Sequence, residues 1–304
     1  MSILVVGSLA LDSVKTPFGK TEEDLGGSAT HFTAAASFFT PVKVVGVVGE
    51  DFPHHELAFL KKRGVDLSGI TVAKGKTFRW KGEYGFDLNV ARTLDTQLNV
   101  FAAFRPEIPT AMRKLPFLFL GNIHPRLQAD VLSQVQRPRL VALDTMNFWI
   151  EGELEALKKV IARVDLVVIN EGEARELTKS ASLVEAARKI RHWGPKTVVI
   201  KRGEYGALLF HKSEVFSAPG LPIETVKDPT GAGDSFAGGF MGYLAAKGRI
   251  NSAILRQAVI VGSTMASFNV EEFSCRRLKR LTRPEINRRI GEFKKLAHFD
   301  GIRI

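Results

Sequence analysis

Hydrophobic residues follow two alternating patterns along this chain. Short runs rich in Val, Ile, Leu and Phe are typical of strands buried on both faces of a sheet, and longer stretches with apolar residues at helical spacing follow most of them. The strand runs are ILVVG, VKVVGVVG, FLFLG, RLVALD, DLVVIN, TVVIKRG and ALLF, and the helical patterns cover residues 28–39, 53–63, 126–136, 152–162, 171–178, 182–192, 234–247, 252–267 and 283–296. The alternation predicts an α/β fold of three layers, with a mostly parallel central sheet and helices on both faces.

One region departs from this alternation. Residues 71–105 are polar and aromatic, alternate in places and show no helical period, so they predict an antiparallel excursion from the main sheet. Together with residues 12–24 they are predicted to form a small β lid over a substrate. An ordinary β insertion is the alternative. Because no long linker or repeat interrupts the rest of the chain, we expect residues 1–304 to form a single domain.

The charge of the chain is strongly positive. It has 43 Lys and Arg residues against 32 Asp and Glu, a net charge of +11, which favours anionic ligands. Much of the excess lies in residues 275–295, which could form a nucleic-acid-binding stripe. We favour a solvated helix face, because apolar residues recur there at roughly helical spacing and no aromatic stacking platform accompanies the charge. The apolar positions are Leu278, Leu281, Ile286, Ile290 and Phe293. No nucleic-acid partner is therefore expected.

Cysteine usage and the N-terminus bear on the compartment. The single cysteine, Cys275, cannot form an internal disulfide, which fits a reducing cytoplasm. The first residues, MSILVVGSLALD, lack a basic region and are too short for a signal peptide or a membrane span, so they predict a strand. We therefore expect a cytoplasmic protein without a membrane partner. One cysteine and seven scattered histidines also give no metal-ligand cluster.

The stretch DPTGAGDSFAGGF, residues 228–240, has the composition of an anion-binding site. Gly231, Ala232 and Gly233 have no bulky side chains to obstruct their backbone N–H groups, and a helical pattern begins directly after them. At a helix N-terminus such donors converge on negative oxygen. Asp234 adds a carboxylate that can accept the proton of a hydroxyl group while the amides stabilise a phosphoryl group in transfer. A glycine-rich turn with an N-capping aspartate is the alternative.

This stretch resembles, almost letter for letter, the C-terminal signature of the PfkB carbohydrate kinases of the ribokinase-like superfamily. Further landmarks of that family occur in the same order along essentially the whole chain. They are GSLALD at the first strand, GGSATHFTAAASFF as the N-terminal glycine signature, NEGE as the N-x-x-E motif, and KRGEYG at the nucleotide-binding T-x-G-x-x-G loop. The late signature is highly specific and the early one moderately so, whereas NEGE alone is a weak signal. The resemblance implies a ribokinase-like fold and the use of ATP and Mg²⁺.

The resemblance also implies roles around the transferring phosphoryl group. Asp234 would be the catalytic base, and the backbone of Gly231, Ala232 and Gly233 would be the anion hole. These are the residues that the composition of the stretch had already singled out.

Five residues are implied at the nucleotide. Asn170 and Glu173 would organise Mg²⁺ and its waters around the phosphates, Glu173 indirectly. Gly203 and Gly206 would flank the nucleotide, with Lys201 where the family often has threonine. The alternatives are a helix cap for Asn170, a first-turn carboxylate complementing the helix dipole for Glu173 and a solvated strand end for Lys201.

A further five residues are implied at the acceptor end. Asp12, Gly26 and Gly27 would bind the sugar, with Asp12 accepting hydrogen bonds from two hydroxyl groups. Asp12 as a turn residue is the alternative. Asp228 and Thr230 match positions that line a monovalent-cation site in many family members, so K⁺ is a further candidate cofactor.

The departures from the family pattern fall on the acceptor side. His31 stands where asparagine is common, and it could contact substrate or be a satisfied buried histidine. Asn122 is a further candidate for acceptor binding. In ALDTMNFW the family's D-x-N-x-R pattern is shifted by one residue, and Phe148 and Trp149 replace the arginine. The reaction is therefore better defined by the sequence than the acceptor.

The function expected is an ATP-dependent transfer of the γ-phosphoryl group to a hydroxymethyl group of a sugar or polyol. A nucleoside kinase is the first alternative, because lid aromatics could stack on a base. These are Phe78, Trp80, Tyr84 and Phe86. A catalytically silent sugar or nucleotide sensor is the second. Lid arginines weakly suggest a phosphorylated acceptor, and they are Arg79, Arg92 and Arg105. The partners expected are a small-molecule sugar or nucleoside and, by analogy with the family, a second copy bound through the lid.

Overall fold

The structure, a computed structural model, describes residues 1–296 and 298. The strands are β1 Ile3–Val6, β2 Ala10–Thr16, β3 Gly19–Gly26, β4 Val42–Gly49, β5 Asp66–Ala73, β6 Phe78–Tyr84, β7 Ala91–Gln97, β8 Phe117–Leu120, β9 Leu140–Leu143, β10 Leu166–Asn170, β11 Thr197–Lys201, β12 Ala207–His211 and β13 Glu214–Ala218. The α-helices are α1 Ser28–Ala36, α2 Ala58–Lys62, α3 Pro125–Gln134, α4 Asn147–Gly152, α5 Leu154–Ile161, α6 Glu171–Thr178, α7 Leu183–His192, α8 Ala232–Lys247, α9 Ser252–Asn269, α10 Arg276–Arg280 and α11 Arg283–Leu296. Turns of 3₁₀-helix occupy His54–Leu57, Asn99–Ala103, Thr110–Met112 and Gly203–Tyr205.

The central sheet has the strand order β13-β12-β11-β10-β9-β8-β1-β4-β5. The strands from β11 to β5 are parallel, and β12 and β13 extend one edge in antiparallel orientation. Because the carboxyl ends of parallel strands lie at one edge of a sheet, the loops after β8, β9, β10 and β11 meet there.

Both faces of the central sheet are covered, as the apolar strands predict. In β1, Ile3 and Val5 join one apolar core with α1, α8 and α9, whereas Leu4 and Val6 join the other with α3, α5, α6 and α7. The three-layer α/β prediction is confirmed. The helical prediction for 152–162 is divided between α4 and α5, and that for 53–63 begins with a 3₁₀ turn.

Glycines in the second half of the DPTGAGDSFAGGF stretch serve helix packing. A methyl group on Gly238 would overlap the backbone of Phe32 in α1, and one on Gly239 would press on Met265 in α9. The glycines therefore allow α8 to approach both neighbouring helices closely.

A second sheet of four strands, in the order β3-β2-β6-β7, is formed by the region predicted to be the lid, and we call it the lid sheet or lid. Its boundaries differ from the prediction, because residues 71–73 complete β5 at the edge of the central sheet and Asn99–Ala103 forms a 3₁₀ turn. The strands are also not wholly antiparallel. β2–β3 and β6–β7 are antiparallel hairpins, but β2 and β6 pair in parallel where the two hairpins meet.

The basic segment near the end of the chain forms α10 and α11. Leu278 and Phe293 are buried, and arginines pair with neighbouring acids, so that Arg277 contacts Glu271 at 2.8 Å and Glu285 at 2.7 Å. The helical interpretation of this segment is confirmed through residue 296. None of the described helices is both long enough and apolar enough to span a bilayer.

Candidate active site

The glycine stretch turns into α8 at Gly231. This residue is the N-cap of α8 and has a left-handed conformation, with φ 72° and ψ 2°, which favours glycine. A side chain here would also overlap the imidazole ring of His31 in α1. Gly231 is therefore required both by its backbone and by its neighbour.

The amides at the start of α8 are not equivalent. The Ala232 N–H donates to Pro229 O at 3.1 Å and closes a turn, so the prediction that Ala232 contributes its amide to an anion hole does not match this geometry. The N–H groups of Gly231 and Gly233 have no hydrogen-bond partner within residues 1–296 and 298. Two of the three predicted donors thus remain available to an anion.

Asp234 lies in the first turn of α8 and is half-buried. Burial, followed by the charge of Asp144, raises the pKa of its carboxyl group to about 7, while Lys201 opposes that rise. A carboxyl group that titrates near neutral pH is suited to accept a proton from an alcohol.

Lys201 and Asp144 form an ion pair beside the anion site. Both follow parallel strands, Lys201 at the end of β11 and Asp144 directly after β9, and Lys201 Nζ lies 3.2 Å from Asp144 Oδ2. Burial alone would lower the pKa of Lys201, but Asp144, Glu173 and Asp234 raise it, so the ammonium group stays charged. The same ammonium would lie 2.9 Å from a methyl group on Gly233. A cation therefore lies beside Gly233.

Asn170 and Glu173 form a capping box at the start of α6. Asn170 Oδ1 accepts from Glu173 N at 2.8 Å, and Glu173 Oε2 accepts from Asn170 N at 2.9 Å. The capping alternative for Asn170 is thus present, and it leaves the magnesium role as a prediction. Burial raises the pKa of Glu173 above its ordinary range despite the nearby Lys201. Among the described residues no three His, Cys, Asp or Glu side chains form a metal cluster.

The two glycines of the nucleotide loop have different surroundings. Gly203 has φ 53° and Gly206 has φ 91°. Gly206 packs against the backbone between Ala218 and Gly220, whereas a side chain on Gly203 would overlap Asn89 at the tip of the β6–β7 hairpin. The lid therefore reaches the predicted nucleotide loop.

Asp12 lies on β2 with its carboxyl group against Gly26, where a side chain would overlap it. Asp12 is buried, and that burial, followed by the charge of Asp228, raises its pKa to about 7. Gly27 precedes α1 with φ 94° and packs on the backbone of Ser8. These three predicted acceptor residues are brought together.

Asp12 borders a narrow crevice, which we call the acceptor cavity and which is too tight in this structure to hold a water molecule. Its lining is formed by Asp12, Val14, Thr21, Asp24, Leu25, His31, Asp228, Thr230 and Ser274. Three of these side chains are carboxyl groups. The acceptor cavity therefore presents mainly hydrogen-bond acceptors.

Asp228 and Thr230 lie in the loop that leads to Gly231. Asp228 Oδ1 accepts from Thr230 N at 2.9 Å, and its Oδ2 accepts from Ser274 N at 3.1 Å. Burial raises the pKa of Asp228. Thr230 Oγ1 lies 3.3 Å from the hydroxyl group of Tyr84 in the lid strand β6. This loop is consequently tied to the lid.

His31 is fully buried, with 1% of its surface exposed. Burial lowers its pKa to about 4, so the ring is neutral. Its Nδ1 lies 3.1 Å from Asn269 Oδ1, while its Nε2 has no partner in the described part of the chain. Asn122 is placed differently, because its Oδ1 accepts from Trp149 Nε1 at 2.9 Å. The Asn122 side chain is thereby tied to α4.

Comparison with known proteins gives a consistent pattern. The model of the pfkB family of carbohydrate kinases matches residues 2–280. A cytidine kinase from Thermococcus kodakarensis is 32% identical over 250 residues, which cover 80% of this chain and 88% of that protein. A 2-dehydro-3-deoxygluconokinase from Thermoproteus tenax is 25% identical over 79% of this chain and 80% of its own.

Solved structures share the fold. The nucleoside kinase of Methanocaldococcus jannaschii superposes with a TM-score of 0.75 at 18% identity, covering 96% of this chain and 98% of its own. A putative ribokinase II from E. coli in complex with ATP and Mg²⁺ gives a TM-score of 0.76 at 17% identity, with 97% and 99% covered. At these identities the likeness shows the fold.

Proposed function

This chain belongs to the pfkB family of carbohydrate kinases, and from that premise we propose that it transfers the γ-phosphoryl group of ATP to a hydroxymethyl group on an uncharged acceptor rich in hydroxyl groups. Kinase chemistry is the property of the family. We propose which residues of this chain perform that chemistry and which class of acceptor it uses.

One observation carries the proposal. The Asp234 carboxyl group lies in the first turn of α8, next to the bare N–H groups of Gly231 and Gly233. The acceptor hydroxyl would donate its proton to the Asp234 carboxylate as its oxygen forms the bond to phosphorus and the bond to the departing ADP oxygen breaks. The two amides would donate to the non-bridging oxygens and stabilise their charge.

The nucleotide side is supported by charge and by ligand chemistry. Lys201 offers a half-buried ammonium group beside Gly233. Asn170 and Glu173 offer the oxygen donors that Mg²⁺ prefers and would hold it through waters. Mg²⁺ bound with ATP would neutralise phosphate charge. The oxygens of Asp228 and Thr230 are likewise suited to K⁺, and that cation remains a prediction.

The acceptor is proposed to be uncharged because acids dominate its end of the site. Asp12, Asp24 and Asp228 line the acceptor cavity, and the adjacent Arg276 is paired with Asp24 at 2.6 Å. A phosphate or carboxylate on the acceptor would meet like charge. Hydroxyl groups, which donate hydrogen bonds, suit these carboxylates.

The lid arginines do not favour a phosphorylated acceptor. Arg79 pairs with Glu23 at 2.7 Å and with Asp51 at 2.8 Å. Arg92 pairs with Glu83. Arg105 donates to the carbonyl group of Phe104 at 2.8 Å. All three are engaged within the protein.

A nucleoside is the second candidate acceptor, and the 32% identity to a cytidine kinase favours it. Its ribose would present the same hydroxymethyl group to Asp234. The lid aromatics give limited support. Phe78 stacks on Phe101 with ring centroids 5.3 Å apart, and Trp80 Nε1 donates to Thr93 Oγ1 at 3.1 Å. Tyr84 alone of the four contacts the loop beside the acceptor cavity, through Thr230.

ADP release by the purified protein tests the proposal. Neutral acceptors would be compared with phosphorylated partners that keep a free hydroxymethyl group, namely fructose with fructose 6-phosphate and cytidine with cytidine 3′-monophosphate. We expect turnover with a neutral acceptor and at least about tenfold lower kcat/KM for its anionic partner. Asp234→Asn should lower kcat about 10³-fold while leaving the affinity for a nonhydrolysable ATP analogue unchanged.

Three results would contradict it. Acceptor-independent ADP release in every case, or binding without turnover, would favour the silent-sensor alternative. Full activity of Asp234→Asn would show that Asp234 is not the catalytic base. A preference for the phosphorylated acceptors would remove the neutral-acceptor part and leave the kinase assignment standing.

A further inference from the structure

Asn269, the last residue of α9, links three separate segments of the active site. Its side chain is fully buried. Its Nδ2 donates to Thr230 O at 2.7 Å, and its Oδ1 accepts from Ser235 Oγ at 3.0 Å and lies 3.1 Å from His31 Nδ1. One amide group thus contacts the loop before α8, the first turn of α8 and helix α1.

Donor and acceptor accounting fixes the orientation of this network. Thr230 O can only accept, so the Asn269 amide must direct its Nδ2 toward that carbonyl group. Its Oδ1 can then only accept, which requires the neutral His31 ring to carry its proton on Nδ1. The three partners therefore define one arrangement of the amide and one tautomer of the histidine.

The contacts surround the proposed anion hole. Thr230 and Ser235 lie immediately before and after the residues 231–234. Between them, the ring of His31 occupies the space that a side chain on Gly231 would take. The segment that carries both free amides and the proposed base is held at both of its ends and from behind.

The start of α8 needs such support because it has no local cap. Most helices satisfy their first N–H groups with a side chain at the N-cap, but Gly231 has none, and no side-chain cap hydrogen bond forms there in the described structure. A local cap would occupy the amides that a phosphoryl group must reach. A distant residue that holds the flanking atoms leaves those amides free.

We propose that Asn269 is a positioning residue for phosphoryl transfer, which with His31 orients the Gly231 and Gly233 amides toward the transferring group. This inference rests on the proposed kinase function. Asn269 does not touch a reacting atom and acts through the loop.

The test compares three variants. Asn269→Ala removes all contacts, and Ser235→Ala removes one of them. Thr264→Val is the matched control, because Thr264 is equally buried in α9 but its hydroxyl group bonds only to Ile260 O, at 2.8 Å, away from the loop. Each would be assayed with the best neutral acceptor of the panel above, with kcat normalised to folded protein.

We expect Asn269→Ala to lower kcat about 10- to 100-fold with the KM for ATP within about threefold of wild type. Ser235→Ala should cost about threefold to tenfold in kcat. Thr264→Val should lower Tm with kcat unchanged. The two amides are proposed to bind the phosphoryl group most strongly in the transition state, which ADP with aluminium fluoride mimics. Asn269→Ala should therefore weaken binding of ADP with aluminium fluoride and acceptor far more than binding of a nonhydrolysable ATP analogue.

Asn269→Asp provides a second measurement if the alanine variant does not fold. When assayed at alkaline pH, where this carboxyl group is ionised, it still accepts from His31 and Ser235 but cannot donate to Thr230 O, so kcat should fall by a similar factor. A kcat equal to that of Thr264→Val, or equal losses of affinity for the two analogues, would assign Asn269 a structural role only. Such a result would leave the kinase proposal intact, because that proposal depends on wild-type turnover and on Asp234→Asn.

Discussion

The two ends of the candidate site use buried carboxyl groups in opposite electrostatic settings. At the phosphoryl-transfer end, Asp234 and Glu173 share a charged Lys201, which Asp144 helps to hold. At the acceptor end, Asp12 lies near Asp228. The neighbouring cation, Arg276, is already paired with Asp24. The first end can attract phosphate oxygens, whereas the second can receive hydroxyl groups.

The two ends of the site also lie on different structural elements. The phosphoryl-transfer residues follow parallel strands of a sheet that is buried on both faces, or begin α8. The acceptor residue Asp12 instead belongs to the lid sheet, whose outer strand β7 is exposed along its whole length. The proposed transfer site thus lies on the central sheet and α8, whereas the proposed acceptor site is built partly on a separate sheet. Dimerisation through the exposed lid remains a prediction.

After the loss of the proposed base Asp234, the largest effect should come from a methyl group added at Gly231. In Gly231→Ala the alanine would have to adopt the left-handed backbone conformation of Gly231, with φ 72°, and its methyl group would overlap the His31 ring. Because Gly231 carries one of the two free amides and precedes the other, displacement of this residue should lower kcat about 100-fold, with the acceptor KM changed by less than about threefold. Steady-state kinetics with circular dichroism and Tm would measure both.

Gly64→Ala is the matched control for that substitution. Gly64 has a similar φ of 77°, yet no atom lies within 4 Å of the position its side chain would take. It should lose about 1 kcal/mol of stability from backbone strain with no change in kcat. Equal activity losses in the two glycine variants would show that the contact with His31 is irrelevant.

The fold and much of the site could be predicted because their signals are local. Near-continuous apolar strands predict a doubly covered sheet, and Gly231 and Asp234 lie in one short stretch. Asp144 is the aspartate of the shifted motif in ALDTMNFW, to which the sequence assigns no role, and nothing in the sequence indicates a role for Asn269. Their partners lie 57 and 39 residues away, and a single Asp after a strand or a single Asn at a helix end has no distinguishing pattern. The lid boundary differs from the prediction because β5 is an edge strand whose residues are only partly buried, as those of a flap are.

Replacing Lys201 with an uncharged residue should reduce the electrostatic difference between the two ends of the site. Lys201 lowers the pKa of Asp234, which burial and Asp144 raise to about 7, so Lys201→Met should raise that pKa further. Since the base must be ionised, the acid limb of kcat/KM against pH should move to higher pH, and activity near pH 7 should fall about threefold to tenfold. The KM for ATP should rise as well.

Lys189→Met is a suitable control for that variant. Lys189 pairs with Glu185 on α7 at 3.2 Å and is partly exposed. Its pH profile should match that of the wild type. An unchanged acid limb in Lys201→Met would show that this ammonium group does not influence the base.

The smallest effect concerns stability at the acceptor end. The pKa of Asp12 is about 7 in the folded protein and about 4 when unfolded, so the folded state holds the extra proton and stability falls as pH rises between these values. Asp12→Asn should therefore raise Tm by a few degrees near pH 8 but not near pH 4, while raising the acceptor KM about tenfold. Asp66, whose pKa hydrogen bonds from Ser68 lower to about 2, gives a control of opposite sign, because Asp66→Asn should lower Tm near pH 8. A pH-independent change in Tm for Asp12→Asn would mean that burial of its charge costs no stability.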